Sequence, residues 1–308
     1  MTGKEILEAF GIEADGEPES IYPFSPVYLV KRESGDIIIK RTQSLFKHGK
    51  QLMTYTRMLK RNGIPIVTPV PIEMENPRNI GDATYVAYPY IIGDTYTGAE
   101  REIYEAGVLL GKIHALSSDV NSYDLITYDV FDFNNQEVET SVQNIEALAR
   151  KYDVHINNQK LKEKLLKAVS QQEELKNSEL PWVATPYDYK ANNLIYTPEP
   201  YLIDPDNASW LPRIFDLALA LLLFHNEMAS APNRLFTPEE WGTFLKGYSE
   251  SVTLTDVEKV YWHKAIDHVF LDEVMWLIAD VEEDWGHPAQ RQLFLSLVEF
   301  SAPDYDIY

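Results

Sequence analysis

Apolar residues in the first third of the chain fall mostly in short β-branched or aromatic runs. Val27-Tyr28-Leu29-Val30 and Asp36-Ile37-Ile38-Ile39-Lys40 are two such runs, joined by Glu33-Ser34-Gly35, which predicts a hairpin. Leu45, Leu52, Tyr55, Met58 and Leu59 then recur at roughly helical spacing, predicting a helix over 44–61 that stops at Asn62-Gly63. Pro65, Pro69 and Pro71 impose extended chain, and a strand follows over 84–92, closed by Gly93-Asp94. Beyond that point the pattern turns helical. Helices are expected over 102–116, 137–151, 159–177, 215–228, 238–248, 256–284 and 288–300, with a β-like interruption at 182–206. Thr237 is placed to cap the helix that Pro238 opens. The expected fold is α+β: a small β-rich N-lobe over 1–93, a linker near 88–97 and a large, mainly helical C-lobe over 94–308. A cleft between the two is a favoured ligand site.

Composition narrows the class of protein. A chain of 308 residues with 45% apolar content can fill such a core, and the absence of cysteine removes disulfides, thiolate catalysis and thiolate-bound metals. The first residues lack the apolar stretch of a signal peptide, and the longest apolar run, Leu217 to Phe224, is too short to cross a bilayer. A cytoplasmic protein without membrane partners is expected. The net charge of −21 argues against binding nucleic-acid phosphates. Its distribution is uneven: residues 1–93 hold 11 basic and 11 acidic side chains, so residues 94–308 carry the entire excess. An acidic surface there keeps the chain soluble, or draws in a cationic ligand.

The chemistry concentrates in one segment. Tyr187-Asp188-Tyr189-Lys190-Ala191-Asn192-Asn193 leads into Leu194-Ile195-Tyr196, and Thr197-Pro198-Glu199-Pro200 separates that run from Tyr201-Leu202-Ile203-Asp204. Proline and short polar residues suit a tight reversal, so the two runs are expected to pair as a hairpin with Asn193 opposite Asp204. An amide oxygen beside a carboxylate is a hard donor pair of the kind Mg²⁺ takes together with water and phosphates. Asp188, five residues before Asn193, is placed to orient a hydroxyl and accept its proton, and Lys190 to set a cation on a moving phosphoryl group. Each residue alone has an ordinary structural explanation; the ordered set is what points to chemistry.

This segment resembles the catalytic loop of the protein-kinase-like fold, especially that of the aminoglycoside phosphotransferase and choline kinase families. The resemblance implies Asp188 as the catalytic aspartate and Asn193 and Asp204 as the metal ligands. Lys190 stands where protein kinases place a lysine. Ile37-Ile38-Ile39-Lys40 is similar to the strand whose lysine holds nucleotide phosphates, and Tyr88-Pro89-Tyr90-Ile91-Ile92-Gly93 to the linker that meets the base. Lys40, Tyr90 and Ile92 are thereby implied in binding ATP or GTP, with Mg²⁺. The segment from Leu109 to Leu116 resembles a helix whose histidine, His114 here, packs structurally, and Asp216 of Phe215-Asp216-Leu217-Ala218 matches an aspartate that braces the loop.

The chain departs from the pattern in three places. Pro186 replaces the loop histidine, the 44–61 helix has no acidic residue to pair with Lys40, and Phe24-Ser25-Pro26 lacks the glycines of a nucleotide-covering loop. Gln51, or a carboxylate from elsewhere, is the expected partner of Lys40. On the substrate side, Glu273, Trp276, Asp280 and Asp284 fall on one helical stripe, an acid and aromatic wall suited to a cation, or simply a solvated helix face. His225, Asn226 and Glu227 are expected near the same cleft. The implied activity is phosphoryl transfer to a hydroxyl of a small cationic substrate, aminoglycoside-like; the alternatives are a choline, ethanolamine, amino-acid or sugar kinase, or a non-catalytic nucleotide-binding relative.

Overall fold

The computed structural model describes residues 2–22, 26–42 and 46–307. A short helix α1 (Gly3–Ala9), not anticipated from the sequence, precedes the N-terminal sheet. That sheet holds β1 (Val27–Val30), β2 (Ile37–Thr42), β3 (Arg78–Ile80) and β4 (Ala83–Pro89) in the order β1-β2-β4-β3, all antiparallel. Val30 pairs with Ile37 across the expected hairpin, and Gly35 turns it at φ +107°, a left-handed angle that side chains disfavour. Ile6 and Leu7 of α1, with Phe10 just after it, cover the sheet's apolar face against Tyr28, Ile37, Ile39 and Tyr85.

Helix α2 (Phe46–Arg61) lies between this sheet and the rest of the molecule. Its Leu52, Tyr55 and Leu59 join the large apolar core of the helical part, and the Tyr55 hydroxyl donates to the Ala184 carbonyl at 2.9 Å. The first 93 residues therefore feed this core and the sheet's own, and Val67, Val86 and Tyr88 form a third, small cluster. The strand expected to reach Ile92 ends at Pro89.

The helical part follows in order: β5 (Asp94–Thr95), α3 (Glu100–Ala115), β6 (Ile126–Thr127), α4 (Asn135–Lys151), α5 (Asn158–Lys176) and β7 (Trp182–Thr185). Next come β8 (Leu194–Tyr196), β9 (Pro200–Leu202), β10 (Ser209–Pro212), α6 (Arg213–Leu223) and α7 (Pro238–Tyr248). Thr237 caps α7 as expected, accepting from the Glu240 N–H while Glu240 accepts from the Thr237 N–H. The chain then forms α8 (Asp256–Val269), a π-helical turn (Phe270–Val274), α9 (Met275–Asp280), α10 (Glu282–Trp285) and α11 (Pro288–Glu299). The single helix expected over 256–284 is thus interrupted twice: the π-turn shifts its register and Val281, at ψ 73°, ends it. Helix α6 likewise stops at Leu223, short of the expected 228.

Two glycines set the approach of α3 and α7. A Cβ on Gly107 would stand 2.0 Å from the Phe244 carbonyl oxygen, and one on Gly247 would stand 2.1 Å from that of Tyr104. Only bare backbones can cross this closely, and the crossing brings Tyr248 to His114. No helix among the described residues is long and apolar enough to span a membrane.

Candidate active site

The segment around Asp188 is held from below by a buried chain of hydrogen bonds. His114 Nδ1 meets the Tyr248 hydroxyl and His114 Nε2 meets Asp216 Oδ2, both at 2.9 Å. The Thr185 hydroxyl donates to the same Asp216 oxygen at 2.9 Å. Thr185 is the last residue of β7, so α3, α6 and α7 jointly fix where the loop starts. This gives His114 and Asp216 structural positions, as the sequence reading expected of them.

After Pro186 the backbone turns sharply. Tyr187 and Asp188 have φ of +54° and +48°, two consecutive non-glycine residues in the left-handed region. Asn193 stabilises this shape by donating from Nδ2 to the Asp188 carbonyl at 2.9 Å. Burial pushes the Asp188 carboxyl above the ordinary carboxylate value, and the Lys190 ammonium at 3.2 Å pulls against that rise. Lys190 also pairs with Glu227 at 2.8 Å. Burial opposes the Lys190 charge, but Asp188 and Glu227 outweigh it and hold the ammonium above the ordinary lysine range.

The hairpin of β8 and β9 forms with a register one residue away from expectation. Leu194 pairs with Leu202 and Tyr196 with Pro200, so the turn is Thr197-Pro198-Glu199 and Pro200 belongs to the strand. Asn193 therefore faces Ile203, whose N–H donates to the Asn193 carbonyl at 3.0 Å, and Asp204 lies one residue beyond. The two oxygen donors remain neighbours at the open end rather than a directly opposed pair. Their chemistry fits Mg²⁺, which takes few protein oxygens and completes its shell with water and phosphate. Among the described residues no group of three or more His, Cys, Asp or Glu side chains forms a cage for a metal ion.

Lys40 on β2 answers the question of its missing partner. Its Nζ lies 2.7 Å from Asp204 and 3.1 Å from Asp206, both beyond β9 in the helical part. Gln51 does not approach it and donates instead to the Asp124 carboxylate. Burial works against the Lys40 charge, yet Asp206 and Asp204 together hold it above the ordinary lysine range. At Asp206 the balance is reversed: burial raises its carboxyl, and Lys40 only partly offsets this. The Tyr88 hydroxyl donates to Asp206 Oδ1 at 3.1 Å, tying the end of β4 to the same cluster. Asp206 was missed in the sequence; a second aspartate two residues after Asp204 was the available signal.

Of the two linker residues, Tyr90 is partly exposed and its N–H donates to the Asp36 carbonyl at 2.9 Å, while Ile92 is 79% exposed. Phe24 and Ser25 lie outside the described residues.

A cavity of about 1110 Å³ opens beside Asp188 and Lys190. Asp206, Glu227, Glu273, Glu283 and Asp284 supply acid to its wall, and Trp276 and Tyr187 supply aromatic surface. Asp280, expected on the same stripe, is not part of it. It lies by Asn134, Glu137 and Thr140 at the start of α4. His225, Asn226 and Glu227 all border the cavity as expected, His225 being held between the Tyr96 hydroxyl (2.9 Å) and the Arg234 carbonyl (2.7 Å).

The architecture is that of known kinases. The structure of a microcompartment-associated aminopropanol kinase aligns over 96% of this chain and 95% of its own, with TM-score 0.65 at 13% identity. The AMP-bound complex of spectinomycin phosphotransferase APH(9)-Ia aligns over 98% and 95%, with TM-score 0.63 at 19% identity. Choline kinase LicA from Streptococcus pneumoniae aligns over 92% and 94%, with TM-score 0.52 at 17% identity. At these identities the likeness establishes the protein-kinase-like fold alone. No match was found among curated protein sequences. The sequence model of the phosphotransferase enzyme family matches residues 24–262, a span that contains Lys40, the Asp188 loop, Asn193, Asp204 and Asp216. That match covers most of the chain and all of its loop chemistry, and it makes this protein a member of the phosphotransferase enzyme family.

Proposed function

We propose that this phosphotransferase moves the γ-phosphoryl group of ATP or GTP to a hydroxyl of a polycationic, aminoglycoside-like acceptor. The observation that carries this reading is the acidic cavity at Asp188. Among the described residues, five carboxylates in its wall besides Asp188 face one lysine, Lys190, which is already paired. Desolvating that much negative charge is unfavourable without a cationic guest, and Trp276 offers a further cation–π surface. The volume exceeds the roughly 300–1,000 Å³ usual for ligand pockets. A lone small amine would leave most of it filled with water. Solved relatives in this fold include a spectinomycin phosphotransferase, a choline kinase and an aminopropanol kinase, all acting on hydroxylated amines.

In the transfer, the acceptor hydroxyl lies against Asp188, which takes its proton as the oxygen attacks the γ-phosphorus and the nucleoside diphosphate leaves. Lys190 sits beside the transferred group and balances its charge. Lys40 is the nucleotide-side cation, exchanging contact with Asp204 for contact with phosphate. Asn193 and Asp204 would hold Mg²⁺, which when bound neutralises phosphate oxygens.

The test is an ADP-release screen with Mg²⁺ across aminoglycosides, choline, ethanolamine, amino alcohols and neutral sugars. Turnover with polyamine sugars, weakened by Glu227→Gln through a raised KM, is expected. Turnover confined to neutral sugars would refute the cationic acceptor. Turnover confined to choline or ethanolamine would replace it with the smaller amine.

A further inference from the structure

We infer that Glu273 is a positioning residue for Asp188 that acts through the Tyr187 hydroxyl. The inference rests on Asp188 being the base of the proposed transfer. The motivating problem is conformational. Tyr187 and Asp188 both sit in the left-handed region, where an aspartate is tolerated and a tyrosine is not at ease. Pro186, just before them, has no N–H with which to pin the turn. Such a conformation persists only where the surroundings over-determine it.

Two side-chain contacts provide that constraint. One is local: Asn193 Nδ2 holds the Asp188 carbonyl at 2.9 Å from within the same loop. The other comes from a different element. The Tyr187 hydroxyl donates to Glu273 Oε1 at 2.5 Å, spanning 86 residues of sequence. Burial, reinforced by the Glu273 charge, keeps the Tyr187 hydroxyl protonated and therefore a donor.

Glu273 reaches Tyr187 because of the π-turn. The wider turn over Phe270–Val274 places adjacent carboxylates, Asp272 and Glu273, each against a tyrosine hydroxyl. Tyr128 donates to Asp272 at 2.7 Å and contacts His268 Nε2 at 3.0 Å, while His268 Nε2 also contacts the Val130 carbonyl at 2.9 Å. The turn is thus anchored on its far side as well as to the loop. A π-turn inside a helix is uncommon, and here its consequence is a fixed tether from the cavity wall to the residue preceding the catalytic aspartate.

This role differs from simple electrostatic attraction of a cationic acceptor, which Glu273, as a cavity wall residue, also provides. A glutamine retains the oxygen that accepts from Tyr187 but loses the charge; an alanine loses both. The experiment compares Glu273→Gln, Glu273→Ala, Tyr187→Phe and the Tyr187→Phe/Glu273→Ala double variant. Two readouts are used: Mg²⁺-ATP turnover with water as acceptor, and the crystal structure of each variant.

Glu273→Ala and Tyr187→Phe should each lower kcat by about tenfold to a hundredfold with KM for ATP within about twofold, the scale expected for ångström misplacement of a catalytic group. Glu273→Gln should keep kcat within about threefold, and the double variant should fall no further than either single one. In crystals of Glu273→Ala, Tyr187 and Asp188 should leave their left-handed angles. Unchanged kcat in Glu273→Ala, equal impairment of Glu273→Gln and Glu273→Ala, or an unmoved loop in Glu273→Ala would each overturn the inference. If the unsubstituted protein turns over no ATP with water or with any acceptor of the screen, the phosphotransfer reading fails by itself. The crystal structures then still decide the tether, a displaced loop supporting it and an undisturbed one refuting it.

Discussion

Two buried lysines, Lys40 and Lys190, sit in almost the same electrostatic setting and do different things. Each is mostly buried, each lies about 3 Å from two carboxylates, and in each case those carboxylates overcome the cost of burial. The contrast lies in what the pairs connect. Lys40 comes from the N-terminal sheet and its partners Asp204 and Asp206 from the helical part, so this cluster exists only where the two meet. Lys190 and its partners Asp188 and Glu227 all belong to the helical part and border the acceptor cavity. In the proposed function, similar chemistry serves once to join the sheet to the helical part at the nucleotide side and once to poise a base at the acceptor side.

The largest effect that separates the two clusters should come from Asp188→Asn. Loss of the proton acceptor is expected to lower kcat by about 10²- to 10⁴-fold while the nucleotide Kd, read by calorimetry, stays within about threefold. Weakened nucleotide binding with intact kcat would place Asp188 on the wrong side of the comparison.

Lys40→Met should do the reverse. Removing a charged hydrogen-bond donor from the phosphates is expected to weaken nucleotide binding by about 10- to 100-fold, matching roughly 1.5–3 kcal/mol. Acceptor KM should change little. An acceptor effect larger than the nucleotide effect would merge the two clusters into one.

Lys190→Met tests the electrostatics through pH. Lys190 pulls the Asp188 carboxyl down against burial, so its removal lets Asp188 hold its proton to higher pH. The acid limb of the kcat/KM profile should therefore move upward in pH. A limb that stays in place, or moves downward, would show that Asp188 does not govern it.

The smallest effect concerns the wall behind the acceptor side. Burial, with Glu273 adding to it, pushes Asp272 up to about 7 from an ordinary value of 3.8. The folded state then binds more protons than the unfolded one between those values, so this group's contribution to stability falls as pH rises across that window. Asp272→Asn retains an acceptor for Tyr128 and removes the ionisation. Denaturant unfolding at pH 5 and pH 8 should show a smaller loss in the variant, with an upper bound of about 2.7 kcal/mol for the roughly two pH units between 5 and 7 at 1.36 kcal/mol each. Equal losses would mean Asp272 is ionised throughout.

Much of this was legible in the sequence because local chemistry dictates it. β-branched runs, the Thr237-Pro238 start and the order of Asp188, Asn193 and Asp204 all act over a few residues. What escaped depends on contacts distant in sequence or on subtle backbone choices. The partners of Lys40 lie 164 and 166 residues away, so the absence of an acid from α2 could not reveal Asp206. Placing the turn at Thr197-Pro198-Glu199, rather than including Pro200, shifted the hairpin by one position and moved Asp204 off Asn193. The acidic stripe on 273–284 assumed an unbroken helix of 3.6 residues per turn. In the structure Glu273, Trp276 and Asp284 border the cavity, whereas Asp280 lies by the start of α4.

The central claim is that a hydroxyl on a cationic guest in the acidic cavity receives the γ-phosphoryl group with Asp188 as base. Mass spectrometry of a mixed aminoglycoside pool after incubation with ATP and Mg²⁺ tests this most directly. The account predicts that at least one component gains a single HPO₃ group with the unsubstituted protein and that none does with Asp188→Asn. Equal phosphorylation by both proteins, or ATP turnover without any phosphorylated amine when choline, ethanolamine and amino alcohols are also present, would contradict it.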